Sequence, residues 1–125
     1  MGDLLRNLVW VGLGSCLGGT ARYLISVAIK PLGGGFPWGT LTVNLAGCFL
    51  IGLLCGLFQR NGSSESVMAL FCTVGLCGGF TTFSTFSREA FVMLQSAQYG
   101  LLIAYVGISL VAGVALTALG YLLTH

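Results

Sequence analysis

Four apolar stretches, at 8–29, 38–58, 67–94 and 101–123, take up nearly the whole chain of 125 residues. Each is long enough to cross a bilayer, for which a helix needs about 20 mainly apolar residues. Inside hydrocarbon no water can satisfy backbone N–H and C=O groups, so spans of this kind close their own hydrogen bonds as helices. Composition agrees: 56% of residues are hydrophobic and 6% charged, the balance of a membrane protein. Too little chain remains for a soluble domain, and residues 1–125 read as one four-helix transmembrane domain.

The connectors at 30–37, 59–66 and 96–100 are short and carry Gly, Pro, Asn and Ser, as turns do. The first span is too long for the apolar core of a signal peptide and no small-residue cleavage site follows it, so it is kept as the first helix. Met1-Gly2 does not open a myristoylation motif, because Arg6 stands where Ser or Thr is required. Cys16, Cys48, Cys55, Cys72 and Cys77 all fall inside spans without a Cys-x-x-Cys pair and read as small packing residues.

Four spans put both termini and the second connector on one side, with Arg6 and Arg60. Lys30 lies on the other side, and Arg22 and Arg88 sit roughly two turns inside the helix ends that face it, within reach of a snorkelling side chain. Orientation follows a Lys/Arg excess in the cytoplasmic loops, and neither side has one. Insertion in both orientations is therefore expected, and with it an antiparallel two-fold homodimer.

The chain has 20 glycines, which in membranes let helix backbones approach closely. Gly14-x-x-x-Gly18 and Gly52-x-x-x-Gly56 have the spacing for such contacts. The run Gly12-x-Gly14-x-x-x-Gly18 lies inside an apolar span rather than between a strand and a helix, so it is not read as a nucleotide loop, and no nucleic-acid partner is expected.

The third span carries Gly75-Leu76-Cys77-Gly78-Gly79-Phe80-Thr81-Thr82-Phe83-Ser84-Thr85-Phe86-Ser87 near its middle. A Gly-Gly pair followed by hydroxyl residues is a poor helix centre. One reading is a break, since irregular backbone survives at membrane depth only where it is buried or lines a cavity, and broken helices offer carbonyls and helix ends to ions. The other is a glycine kink with its hydroxyls bonded back to the preceding turn. Phe80, Phe83 and Phe86 recur every three residues near one helical face. They are either packing surface or, because ring edges are electropositive, the lining of an anion path. Asn44, two turns into the second span, either bonds a neighbouring helix or donates to an anion without adding charge. Thr40 with Asn44, and Tyr105 with Ser109, share faces at a spacing of four.

The segments Gly78-Gly79-Phe80-Thr81-Thr82-Phe83-Ser84-Thr85-Phe86-Ser87, Gly19-Thr20-Ala21-Arg22-Tyr23 and Gly39-Thr40-Leu41-Thr42-Val43-Asn44-Leu45-Ala46-Gly47 resemble the signature of the Fluc (CrcB) family of fluoride channels. The resemblance covers essentially the whole chain. It implies an antiparallel dual-topology dimer in the cell inner membrane, multi-pass and in both orientations, with two fluoride pores and a central structural sodium ion. By the same resemblance the backbone carbonyls of Gly78 and Thr81 from both subunits hold the sodium. Phe83 and Phe86 present ring edges to fluoride, Asn44 stands beside that path with the hydroxyls of Thr82, Ser84 and Thr85, and Tyr105 and Ser109 begin a polar track on the fourth helix. Arg22 resembles the family's vestibule arginine; a snorkelling anchor is the alternative. Gly113 departs from the pattern, standing where the family often continues the track with a hydroxyl.

Fluoride is small and strongly hydrated, so selecting it requires donors and ring edges that replace water. No ATP-binding signature is present, which argues against a pump. A small multidrug-type proton-coupled exporter has the same four-helix size, but it resembles its family through a carboxylate in helix one. Here the acidic residues are Asp3, Glu65 and Glu89, and the first span carries Arg22 instead. An accessory subunit without transport would not require the Gly-Gly-Phe-Thr-Thr-Phe grouping. Enzymatic activity has no support, since the sole histidine is His125 and no nucleophile has a base near it in sequence.

Overall fold

The computed structural model describes residues 1–29 and 35–125. Among them the chain is helical, without strands, and four stretches are long and apolar enough to cross a membrane: Gly2–Ile29, Trp38–Arg60, Val67–Gln95 and Tyr99–Thr124. The first (α1), second (α2) and fourth (α5) are continuous helices, while the third is divided into α3 at 67–80 and α4 at Phe83–Gln95. The expected four spans and the expected break are thus both present. Lys30 and the rest of the first connector through residue 34 lie outside the described residues.

Helix α1 begins six residues before the apolar stretch. Its first turn closes through the Leu5 N–H to the Met1 carbonyl (3.1 Å) and carries Asp3, whose charge suits the positive end of the helix dipole. Helix α3 starts on Ser66, whose Oγ accepts the Ala69 N–H at 3.1 Å, a side-chain N-cap. From Leu70 to Cys77 it winds as a π-helix, a coil that apolar periodicity does not signal.

Two helix pairs make the bundle, and glycine decides both. Helices α1 and α3 meet through Gly14, Gly18, Gly75 and Gly79. A methyl on Gly14 would lie 2.6 Å from the Phe71 carbonyl oxygen, and one on Gly79 would lie 2.6 Å from that of Ser15. Helices α2 and α5 meet through Gly52, Gly56 and Gly120, where a methyl on Gly120 would lie 2.8 Å from the Leu53 nitrogen. Both small-residue spacings noted in the sequence therefore lie in helix contacts. The second contact is tied by hydroxyls: Thr117 Oγ1 donates to the Cys48 carbonyl at 3.0 Å, and Thr124 Oγ1 to that of Leu53 at 2.7 Å. Such bonds hold helices together where burial of apolar surface gives no net advantage over lipid.

A buried cluster of Leu41, Met93 and Tyr105 packs with Phe36 and Phe86 near the end of the bundle where α2 begins and α4 finishes. It fixes α4 against α2 and α5, and so sets where the segment after the break points.

Adding one methyl at these contacts should overpack them. Gly18→Ala and Gly120→Ala are expected to lower the unfolding free energy in detergent by about 1–3 kcal/mol. Gly12→Ala and Gly107→Ala, where a methyl meets nothing within 4 Å, should change it by less than about 0.5 kcal/mol; thermal melts of the four variants check both.

Candidate functional site

The break is built from two residues. Thr81 (φ −87°, ψ 159°) and Thr82 (φ −147°, ψ 117°) are extended; the Thr81 N–H still reaches the Cys77 carbonyl at 3.0 Å, but the Thr82 N–H must find a partner outside the helix ladder. Asn44 on α2 supplies it. Its Oδ1 accepts the Thr82 N–H at 2.8 Å, and its Nδ2 donates to the Thr82 carbonyl at 3.1 Å. Thr82 then opens α4, its Oγ1 accepting the Thr85 N–H at 3.2 Å. One amide side chain thereby stands in for a whole peptide partner. Both of its heteroatoms are committed, yet its NH2 group has a second N–H still available.

The same bonds leave carbonyls exposed. In a continuous α-helix the N–H of residue 82 would go to the Gly78 carbonyl and that of residue 85 to the Thr81 carbonyl. Here those two N–H groups go to Asn44 and to Thr82 Oγ1. The carbonyls of Gly78 and Thr81 have lost their helical donors. Thr81 Oγ1 does bond back to the Cys77 carbonyl at 3.1 Å, as the kink reading expects, but beside a real interruption rather than in place of one.

An open cleft of about 320 Å³ lies against the break and is lined by Asn44, Thr82, Phe83, Phe86 and Ser109 together with Gly78 and Thr81. The Phe83 and Phe86 rings are 5.8 Å apart, and Phe83 is 79% exposed, so its own chain leaves it largely uncovered. Phe80 does not continue their stripe. The extended pair interrupts the helix, and Phe80 turns toward α2, where its Cδ2 would be 3.3 Å from a methyl on Gly47. The three-residue recurrence thus describes one face only from Phe83 onward. Cys48 and Cys77 also line this cleft, and all five cysteines are free thiols.

Of the remaining expected residues, Ser109 borders the cleft, while Tyr105 and Ser84 do not line it. Tyr105 is fully buried behind Phe86, with ring centres 5.0 Å apart, and among the described residues its hydroxyl has no partner within hydrogen-bond geometry. Ser109 Oγ is likewise buried without a partner, although the residue borders the cleft. Ser84 is exposed, with its Oγ 3.4 Å from Thr82 Oγ1. Beyond Ser109 a shallow groove follows α2 and α5 past Gly113 to Tyr121.

A second cavity, of about 440 Å³, opens at the bundle end where α1 finishes. It is lined by Arg22, Ser26, Thr40, Thr85, Arg88 and Glu89. Thr40 Oγ1 donates to Glu89 Oε1, and Arg22 Nε donates to the Gly79 carbonyl at 3.2 Å. Neither contact was visible in the sequence. The spacing of Thr40 from Asn44 marked a shared polar face, but nothing in the chain paired Thr40 with a residue 49 positions away.

A sequence profile described as CrcB-like protein, Camphor Resistance (CrcB), matches residues 9–121. The chain belongs to the CrcB family. Relatives named "Fluoride-specific ion channel FluC" cover nearly all of it. The protein of Azobacteroides pseudotrichonymphae genomovar. CFP2 is 40% identical over 123 residues, 98% of each chain. That of Methylobacterium nodulans is 43% identical over 111 residues, 89% of this chain and 90% of its own. That of Escherichia coli (strain K12) is 40% identical over 118 residues, 94% and 93%. The match to CrcB spans both cavities, the break and the α2–α5 groove.

Removing the amide that holds the break should unseat it. Asn44→Leu leaves the Thr82 N–H without its partner and removes one of the two donors to the Thr82 carbonyl, which as the N-cap also accepts the first N–H of α4. It is expected to destabilise the protein by about 1–3 kcal/mol and to speed hydrogen exchange at Thr82, measured by NMR in detergent micelles.

Proposed function

We propose that this protein is a fluoride channel, through which fluoride leaves the cell passively across the plasma membrane. The observation that carries the reading is the cleft beside the break, where an amide N–H, hydroxyls and two phenyl rings gather without a charged side chain. It lies in a chain whose relatives are named fluoride-specific ion channels. Fluoride holds water tightly, so a path that selects it must offer replacements at close range. The second Asn44 N–H and the hydroxyl of Ser109 donate, and the edges of Phe83 and Phe86 present positive potential without binding an ion so tightly that it stays.

Fluoride carried inward as neutral HF ionises in the cytoplasm and is trapped. A membrane potential that is negative inside drives the anion out by about 2.3 kcal/mol per 100 mV, so no coupled energy source is required.

The working unit in this proposal is an antiparallel homodimer of copies inserted in both orientations, with two pores. The exposure of Phe83 supports it, because a second copy would close the cleft that one chain leaves open. Gly78 and Thr81 suit a sodium ion: their carbonyls have been released from the helix ladder, and two-fold symmetry would bring four such oxygens together. A bound sodium there would supply the positive charge that neutralises four converging carbonyl dipoles. The chain's own part is to free those carbonyls, which Asn44 and Thr82 Oγ1 do by taking the competing N–H groups.

Liposomes loaded with fluoride and containing the purified protein should empty quickly, while chloride-loaded controls should not. Phe83→Ile is expected to slow fluoride efflux at least about tenfold, and Asn44→Asp, which puts a negative charge beside the path, by more. No efflux from well-folded dimers would reject the channel. Sodium at a hundredfold excess over its Kd should add about 2.7 kcal/mol to dimer stability relative to N-methylglucamine. A C-terminal reporter should be found on both sides of the membrane, and finding it on one side only would refute dual insertion.

A further inference from the structure

Interrupting a helix strands the last carbonyls of its first half. Three of those on α3 concern the break directly. Gly78 and Thr81 have lost their donors to Asn44 and to Thr82 Oγ1. Gly79, between them, would have bonded the N–H of Phe83, but two extended residues at about 3.3 Å each carry that N–H out of reach. Its carbonyl accepts instead from Arg22 Nε at 3.2 Å, a residue 57 positions earlier on α1.

The reach is built into the packing. Gly79 lies so close to α1 that a methyl there would be 2.6 Å from the Ser15 carbonyl oxygen. On α1, Gly19 leaves the passage open, with both the Arg22 guanidinium and the Gly79 carbonyl 3.9 Å from where its methyl would stand. Arg22 is half-buried, and its Nε is bonded within the bundle. A cation at the carbonyl end of a helix segment is also where the helix dipole favours one.

We propose that Arg22 is a positioning residue for the ion path: its Nε–H replaces the missing backbone donor at the Gly79 carbonyl and holds the end of α3 in register with Thr81 and Thr82. The inference rests on the channel reading for its functional consequence. Its structural content stands apart from that reading. The hydrogen bond, rather than the charge facing the cavity, is what the path requires.

Side-chain chemistry separates the two roles. Glutamine places its amide nitrogen the same number of bonds from Cα as the arginine Nε, so Arg22→Gln keeps an N–H donor at that point and loses the charge. Lysine has a methylene there, so Arg22→Lys keeps the charge and loses the donor. Fluoride efflux from liposomes is expected to stay within about threefold of the parent for Arg22→Gln and to fall at least about tenfold for Arg22→Lys. The 13C carbonyl shift of labelled Gly79, read by solid-state NMR in lipid, should be preserved in the first variant and displaced in the second. Size-exclusion chromatography confirms that both are folded dimers.

Efflux kept by Arg22→Lys and lost by Arg22→Gln would overturn the proposal in favour of a charge that attracts anions. Efflux kept in both, or lost in both, overturns it as well, because then the donor at Nε is not what matters. Should the parent protein pass no fluoride, the channel reading fails, and the Gly79 carbonyl shift still decides whether Arg22 holds the break.

Discussion

Everything specific about this molecule follows from one constraint: at membrane depth a backbone N–H or C=O has no water to turn to. Three helices meet it with their own ladders. The third span does not, because Thr81 and Thr82 are extended, and the rest of the structure is arranged around the groups that they set free. Asn44 takes both polar groups of the Thr82 peptide, Thr82 Oγ1 takes the N–H of Thr85, and Arg22 takes the Gly79 carbonyl. Among the carbonyls left without their helical donors are those of Gly78 and Thr81. Asn44 and Thr82 also border the cleft beside the break.

Glycine makes that arrangement reachable. Arg22 can bond the Gly79 carbonyl only because α1 and α3 touch backbone to backbone through Gly14, Gly18, Gly75 and Gly79. Asn44 can bracket Thr82 because Gly47, one turn further along α2, leaves room for the Thr81 side chain and the Phe80 ring. Small residues thus bring donors within hydrogen-bond distance of carbonyls that the break has exposed. Packing and function are one problem here.

The polar groups divide between two cavities. Toward the end where α1 finishes, Arg22, Arg88, Glu89 and Thr40 border a cavity that is open and charged. Toward the middle, the cleft is lined by neutral polar groups, aromatic rings and aliphatic side chains, without a charged residue. A small, strongly hydrated anion would meet neutral groups where it must shed its water. Fixed charges in the dry part would bind it too long.

Much of this was legible in the chain. Span length and the scarcity of charge dictate four membrane helices, because no other backbone arrangement of such stretches satisfies its own hydrogen bonds. The Gly-Gly-Phe-Thr-Thr-Phe run marks the break, since neither glycine pairs nor hydroxyl clusters favour a helix centre. The spacing of Gly14 with Gly18 and of Gly52 with Gly56 marks the contacts. Tertiary structure alone decided which groups answer one another. Local pattern cannot show that Asn44 clamps Thr82, that Glu89 accepts from Thr40, or that Arg22 donates to the Gly79 carbonyl, because each partner is at least 38 residues away. Nor can it show that Phe80 leaves the stripe of Phe83 and Phe86, for a period of three predicts one face only while the helix is unbroken. Sequence sets the length and polarity of each span, which are local properties; which carbonyl a side chain meets depends on how closely two backbones approach, and that is settled only when the helices pack.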